Sequence, residues 1–117
     1  MKTVIILNEA PYGNERTYNG LRLGHSVQKH DPAGELLLFL MADAVTAAKK
    51  GQSVPAGFYN VENMIGRTLS AGGKVLLCGT CMNARGMRDE ELIPGAVRGS
   101  MDDLGVASLH ADKVIVF

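Results

Sequence analysis

The sequence lacks an excess of either charge and has very few cysteines. Acidic and basic residues number 12 each, and the formal net charge is zero. Because the basic residues are scattered, the broad positive field of a nucleic-acid-binding protein is missing, and we expect no nucleic-acid partner. The two cysteines lie so close in sequence that a structural disulfide would close too small a loop to stabilise the fold appreciably.

Long apolar segments are also missing. The longest run, residues 36–42, is far shorter than the roughly 20 residues that a transmembrane helix requires. Near the amino terminus, the apolar residues 4–7 are too few for a signal peptide, and Asn8 and Glu9 follow them at once. The sequence therefore predicts a cytoplasmic protein with no membrane partner. In a reducing compartment, paired cysteines are typical of catalytic, carrier or metal-binding groups.

What the sequence does contain is typical of one globular domain spanning residues 1–117. Hydrophobic residues make up 46% of the chain and charged residues 21%, which is ordinary usage for a folded protein. Continuous apolar runs at 3–7, 35–40, 74–78 and 113–117 are typical of strands buried on both faces of a parallel sheet. A further short strand is predicted near Val97.

Helical patterns alternate with these strands. Helical spacing covers residues 16–29, Asn60 is a predicted cap for a helix from Val61, and Ser100 with Asp103 has the form of a capping box. Asp43 is a predicted cap for a short helix that ends at Lys50. The alternation predicts a doubly wound α/β sandwich with about five mainly parallel strands.

The cysteine pair follows the third apolar run directly, in the segment Lys74-Val-Leu-Leu-Cys78-Gly-Thr-Cys81. A side chain at this point lies at the carboxyl edge of the sheet, where open α/β folds hold their reactive groups. If Thr80 caps a helix here, the amides of Gly79, Thr80 and Cys81 stabilise a Cys78 thiolate. The alternative is that both cysteines are packing residues, since free cysteine is often buried.

Three further groups bear on this thiol chemistry. Arg85 shares a helical face with Cys81 and would favour a thiolate, unless it is an ordinary surface arginine. The spacing of the cysteines also permits thiol–disulfide exchange. The chain offers no second half of a zinc site, so we expect no metal; the histidines are predicted on exposed helix faces or ends, although His25 or His110 could approach the sulfurs in an oligomer.

The loop of residues 8–15 joins the first strand to the first helix and is predicted at the same edge as Cys78. Its residues Tyr12, Gly13, Asn14 and Glu15 either frame a pocket for the thiol or form an ordinary turn. Two carboxylates and a single glycine make it a poor phosphate cradle. We therefore expect no nucleotide, flavin or other cofactor.

Taken together, these segments resemble the DsrE/DsrF-like proteins, which include TusD-type sulfur-relay subunits, and most closely their YchN-like branch. The resemblance spans nearly the whole chain and rests on Ala10-Pro-Tyr-Gly13, Leu21-Arg-Leu23, Leu38-Phe-Leu-Met-Ala-Asp43-Ala-Val45, Gly51-Gln52, Leu77-Cys78-Gly-Thr-Cys81, Ala84-Arg-Gly86 and Ala111-Asp-Lys-Val114. It implies a flavodoxin-like domain that assembles into homotrimers or homohexamers. It also implies that Cys78 corresponds to the cysteine that carries sulfur, whereas Cys81 is not general in the family.

The leading hypothesis is a sulfurtransferase-like carrier in which Cys78 holds a persulfide, Cys81 resolves it, and donor and acceptor proteins supply and receive the sulfur. Its rivals are a non-enzymatic oligomer with structural cysteines and a thiol–disulfide exchange protein. Oligomerisation is a prediction in its own right. Its candidate contact residues are Met41, Met64, Met87 and Met101, with core packing favoured for Met64.

Overall fold

Five short apolar segments form the strands of one parallel sheet. In the computed structural model, which describes residues 1–117, they are β1 (Lys2–Leu7), β2 (Glu35–Leu40), β3 (Lys74–Cys78), β4 (Ala96–Gly99) and β5 (Lys113–Val116). The strand order is β4-β3-β2-β1-β5, and every neighbouring pair is parallel. The predicted α/β class with five parallel strands is therefore confirmed.

The strands alternate with four α-helices and two 3₁₀ segments. The helices are α1 (Arg16–His30), α2 (Val61–Ser70), α3 (Gly79–Ala84) and α4 (Met101–His110), and the 3₁₀ segments are Ala42–Ala48 and Asp89–Glu91. None of the helices combines the length and the hydrophobicity needed to span a bilayer.

Of the four predicted caps, those at Asn60 and Ser100 are confirmed and that at Asp43 is wrong; the fourth, at Thr80, is described with the cysteines. The Asn60 side chain accepts a hydrogen bond from the Asn63 amide at the start of α2. Ser100 and Asp103 form a reciprocal capping box at the start of α4. Asp43, by contrast, lies inside the first turn of the 3₁₀ segment Ala42–Ala48 with no capping bond, because its side chain is engaged by a residue from another element.

The helices lie on both sides of the sheet and give three layers. The connections from β1 to β2, β3 and β4 all move the same way across the sheet. Because crossovers between parallel strands are right-handed, α1, α2 and α3 then lie on one face. The return from β4 to β5 runs in the opposite direction and puts α4 on the other face. On the first face, α1 lies so close to the sheet that a Cβ on Gly24 would be 3.3 Å from Leu36. This architecture is consistent with a flavodoxin-like fold.

The two faces of the sheet are covered unequally. The core beneath α1 and α2 is fully buried and includes Ile5, Leu38 and Ile65. The opposite face has only α4 over it. The edge strands there leave apolar side chains in solvent, and Val97 and Val116 remain 54% and 62% exposed.

The four methionines considered as contact residues divide between core and surface. Met64 is buried, which agrees with core packing, and Met87 is buried as well. The prediction that Met87 is a surface contact is therefore wrong for this chain, because its side chain packs into the main core cluster. Met101 is 53% exposed and Met41 is half-buried.

Candidate thiol site

Cys78 occupies the junction between β3 and α3. It is the last residue of β3 and also the N-cap of α3, where its Sγ accepts a hydrogen bond from the Cys81 amide at 3.4 Å. The expectation that Thr80 caps this helix is wrong, because Thr80 is already helical and the capping acceptor must precede the first helical residue. The thiol thus takes the place that a hydroxyl or carboxylate side chain usually fills.

Cys81 lies on the first turn of α3, less deeply buried than Cys78. Its Sγ accepts a hydrogen bond of 3.2 Å from the backbone amide of Ala42, which follows β2. Ala42 has a φ of 50° and is the non-glycine residue of this chain that adopts a positive φ. For a residue with a Cβ this left-handed backbone costs about 1–2 kcal/mol, so the surrounding contacts hold the amide in a strained position.

Arg85 joins the segment after β2 to the helix that carries the cysteines. Its Nε and Nη2 atoms donate to Asp43 Oδ1 at 3.0 and 2.9 Å, and its Nη1 donates to the Cys81 carbonyl at 3.0 Å. These hydrogen bonds reach the backbone of Cys81 and neither sulfur, and a role for Arg85 in the thiol chemistry stays a prediction. Both side chains keep some solvent contact, so the ion pair fixes geometry more than it adds stability.

The surroundings shift the pKa values of the two thiols in opposite directions. Burial raises the pKa of Cys78, but hydrogen bonds from the Cys81 thiol and from the Cys81 and Thr80 amides, together with the charge of Arg85, bring it below its ordinary value. Burial also raises the pKa of Cys81, and donation of its proton to Cys78 raises it further, against the opposing effect of the Ala42 amide. The thiolate form is therefore favoured on Cys78 over Cys81.

Gly79 and Thr80 contribute backbone rather than side chains. The Gly79 carbonyl accepts a hydrogen bond from Arg98 Nη1 at 3.0 Å, and a Cβ on Gly79 would lie 3.1 Å from the same guanidinium. Arg98 also donates to Asn83 at 2.9 Å and to Asp89 at 2.7 Å. Arg98 therefore anchors both ends of α3. The Thr80 side chain is exposed.

Tyr12 belongs to an aromatic cluster at the same edge of the sheet. Its hydroxyl donates to Gln52 at 2.6 Å and accepts from the Val61 amide at 3.1 Å. Its ring stacks on Tyr59, which in turn stacks on Tyr18 with ring centroids 4.1 Å apart. Burial raises the pKa of the central Tyr59, and neighbouring Glu15 raises it further.

The rest of the predicted pocket loop forms a turn. Gly13 has a φ of 104°, the Asn14 side chain accepts from the Arg16 amide, and the Glu15 carbonyl accepts from the Asn19 amide. Because β2 lies between β1 and β3, the segment after β2 separates this loop from the cysteines. Gln52 links the two regions, since its side chain donates to carbonyls within and after the segment 42–48. A pocket role for Tyr12, Gly13, Asn14 and Glu15 stays a prediction.

The histidines take part in local contacts within this chain. His25 donates to the Met64 carbonyl, and His110 donates to the Val106 carbonyl in the last turn of α4. His110 lies beside Lys2 and Lys74, which begin their strands, and therefore at the edge opposite to Cys78. No cluster of three or more His, Cys, Asp or Glu side chains has an arrangement suited to a metal ion.

Three residues of the thiol site were not predicted in these roles: Ala42, Asp43 and Arg98. Ala42 and Asp43 come directly after β2, and Arg98 lies in β4 opposite Leu77 of β3. The usable signal was that residues at the ends of neighbouring parallel strands meet at one edge of the sheet. The strand order needed to apply this rule is not visible in the sequence.

The class of protein is defined by two features. One is the parallel five-stranded α/β domain, and the other is the cysteine pair at the carboxyl edge of β3. The family model described as "DsrE/DsrF-like family" matches residues 1–117. The chain therefore belongs to the DsrE/DsrF-like family.

Individual relatives agree with this assignment. Protein YchN of Escherichia coli strain K12 is 40% identical over 116 residues, which is 99% of this chain and 98% of that protein. The "Uncharacterized protein MJ0989" of Methanocaldococcus jannaschii is 36% identical over 117 residues and matches over the full length of both chains.

Two solved structures share the architecture. The crystal structure of the E. coli YchN protein superposes with a TM-score of 0.94 at 40% identity and covers 99% of this chain and 98% of that chain. The structure of MTH1491 from Methanobacterium thermoautotrophicum, titled a protein of unknown function, gives a TM-score of 0.75 with the same coverage. Its identity is only 13%, so this second match concerns the fold alone.

Proposed function

We propose that this protein carries sulfane sulfur as a persulfide on Cys78 and passes it to a thiol of a partner protein. The observation that carries the proposal is the N-cap position of Cys78, where the Cys81 amide donates to its sulfur and its pKa is lowered. A thiolate is the form of cysteine that attacks sulfur. Membership of a family associated with sulfur relay supports the same chemistry.

The proposed cycle has two balanced exchanges. In loading, the Cys78 thiolate attacks the terminal sulfur of a donor persulfide, a new S–S bond forms, and the donor cysteine leaves as a thiolate. In delivery, an acceptor thiolate attacks the terminal sulfur on Cys78, and Cys78 leaves as a thiolate. Neither exchange changes the total oxidation state, so the cycle needs no additional oxidant or reductant.

The burial of Cys78 suits a cargo of one atom. Only 7% of the residue is exposed, so the site suits a single added sulfur better than a bulky adduct. The same amides and the Arg85 charge that lower the pKa of Cys78 would also stabilise a terminal perthiolate. Cys81, with its raised pKa, is the weaker nucleophile at neutral pH.

The test is to incubate the protein with a cysteine desulfurase and cysteine and to locate added sulfur by mass spectrometry. The expected result is one added sulfur on the Cys78 peptide of the wild type and of Cys81→Ser. Cys78→Ser is the matched control and should take up none. Equal uptake by Cys78→Ser, or no uptake by the wild type, would refute the proposal.

Thiol–disulfide exchange is separated by the same variants. Exchange requires both cysteines, so Cys81→Ser would abolish it while leaving persulfide loading intact. If the wild type takes up no sulfur but oxidises and reduces reversibly between Cys78 and Cys81, exchange is the function instead. An unreactive Cys78 with an ordinary thiol pKa would indicate structural cysteines.

We also propose that the half-covered face of the sheet is where copies of this chain assemble, as homotrimers or homohexamers. The apolar side chains exposed there include Val97, Val114 and Val116, and the charged Lys2, Glu35 and Lys74 lie at the end where the strands begin. Identical copies of a chain with zero net charge can approach through such a face without mutual repulsion. Burial of apolar surface supplies the stabilising free energy.

Light scattering at micromolar concentration tests the assembly. The wild type should give an oligomeric mass, and Val116→Lys should shift the particle towards the monomer, because it would bury a charge between copies. Phe58→Lys is a comparison at an exposed loop outside this face and should leave the mass unchanged. A monomeric wild type would contradict the assembly but not the role of Cys78.

A further inference from the structure

The backbone at Ala42 has an unusual conformation, and this conformation directs its amide towards a sulfur atom. Ala42 adopts a φ of 50°, and its amide donates to Cys81 Sγ at 3.2 Å. Strained backbone of this kind persists only where the surrounding structure enforces it, and it is frequent at functional sites. A relaxed backbone at this position would direct the amide elsewhere.

The neighbouring residue shows how the conformation is enforced. Asp43 receives two hydrogen bonds from Arg85, whose remaining nitrogen donates to the Cys81 carbonyl. After Asp43, the 3₁₀ segment continues with the fully buried Ala44 and Val45. The strained turn is therefore fixed between the buried 3₁₀ segment and the helix that carries Cys81.

We propose that Ala42 is a positioning residue whose backbone amide stabilises negative charge on Cys81 Sγ while Cys81 expels the sulfur held on Cys78 as hydrosulfide. This inference rests on the proposed persulfide function and adds a second way in which the sulfur leaves Cys78. The substrate class of this step is the protein's own perthiolate, and its products are hydrosulfide and a Cys78–Cys81 disulfide.

The step is balanced in atoms and charge. The sulfur of Cys81 bonds to Cys78 Sγ, and the bond from Cys78 Sγ to the terminal sulfur breaks. The terminal sulfur leaves with the electron pair and takes the thiol proton of Cys81, which gives HS⁻. The two cysteines are oxidised as the sulfane sulfur is reduced, and an external dithiol then reduces the disulfide and resets the site.

The hydrogen-bond directions fit this sequence of events. Hydrogen bonding by the Cys81 thiol helps to lower the pKa of Cys78, so the thiol that must give up its proton already adjoins the sulfur that it attacks. As that proton departs, charge develops on Cys81 Sγ, which already accepts from the Ala42 amide. A donor placed before the charge appears requires no reorganisation during the reaction.

The sharpest test removes only this donor. L-lactic acid introduced at position 42 by nonsense suppression replaces the amide N–H with an ester oxygen and leaves the side chain unchanged. Each protein is loaded with one sulfur by cysteine desulfurase, separated from the donor, and assayed for released sulfide and for the disulfide by mass spectrometry. We expect the ester to slow sulfide release about ten- to a hundredfold, as for the loss of one hydrogen bond to a charged atom.

Ala42→Gly is the matched control, because glycine keeps the amide and adopts positive φ without strain. It should release sulfide faster than the ester variant, whereas Ala42→Val should be slow, since a β-branched residue disfavours this backbone. In a Cys78→Ser background, the ester should also move alkylation of Cys81 to higher pH, because the Ala42 amide lowers the pKa of Cys81. A purely structural role would leave that pH profile unchanged.

The outcomes separate the two proposals. If Cys78 takes up sulfur but the ester variant, or Cys81→Ser, releases sulfide as fast as the wild type, the role of Ala42 is refuted and the carrier function stands. If wild-type Cys78 takes up no sulfur, both proposals fail.

Discussion

Two helical glycines should respond in opposite ways to the same substitution. In α1, a Cβ on Gly20 would collide with Leu7 Cδ2 and lie 3.3 Å from the Phe117 ring. In α2, a Cβ on Gly66 would meet nothing within 4 Å. Alanine is the better helix former at both positions, so only the neighbours distinguish Gly20→Ala from Gly66→Ala.

The expected magnitudes follow from this difference. Glycine to alanine in a helix interior gains roughly 1 kcal/mol, and we expect Gly66→Ala to raise the free energy of unfolding by about 0.5–1 kcal/mol. At Gly20 the same gain is opposed by overpacking of about 1–3 kcal/mol, because Leu7 is fully buried. Gly20→Ala should therefore lower the free energy of unfolding by about 1 kcal/mol.

Urea unfolding followed by circular dichroism measures both changes. The wild type and the variants must be compared at the same protein concentration, because assembly contributes to apparent stability. The variants should differ from each other by about 2 kcal/mol, or about 8 °C in Tm for a chain of this length. Gly20→Ala at or above wild-type stability would show that α1 does not approach β1 as closely as described. A destabilised Gly66→Ala would show that the open side of α2 is covered.

Other predictions concern the caps and the thiols. Asn60→Ala should lower the free energy of unfolding by about 1 kcal/mol, because the first turn of α2 loses its acceptor for the Asn63 amide; an unchanged urea midpoint would contradict the cap. The pH midpoint of Cys78 alkylation should lie below that of an ordinary cysteine, whatever its absolute rate, because its native pKa is lowered and its thiolate is lost only as the pH falls through that value. Cys81→Ala should move this profile to higher pH, since the thiol donor is gone, and a profile that does not move would refute the contact. Arg85→Gln should raise the pKa of both thiols, because the guanidinium charge lowers both; unchanged alkylation profiles would show that its charge is screened.

Local rules were enough for the parts of the fold that depend on neighbours in sequence. The strands at 35–40 and 74–78 and the caps at Asn60 and Ser100 follow from apolar runs and from side chains that reach an amide three residues ahead. The cap of α3 was misassigned because the prediction favoured threonine. In the structure the preceding thiol already accepts the bond.

The candidate site shows where such rules stop. That Cys78 lies at the carboxyl edge could be predicted, since every parallel strand ends there. Its neighbours could not, because they depend on the order β4-β3-β2-β1-β5, which places the segment after β2 beside the cysteines. The positive φ of Ala42 has no signature in the sequence, since alanine rarely adopts it; the conformation comes from tertiary contacts.

The aromatic cluster also makes one region of the molecule visible to spectroscopy. The chain has three tyrosines and no tryptophan, and all three tyrosines lie in the single stack of Tyr12, Tyr59 and Tyr18. Intrinsic fluorescence and near-ultraviolet dichroism from tyrosine therefore report on that stack alone. Gln52 connects Tyr12 to the segment 42–48, which lies beside the cysteines. These signals therefore offer a label-free way to follow whether sulfur loading disturbs this edge of the protein.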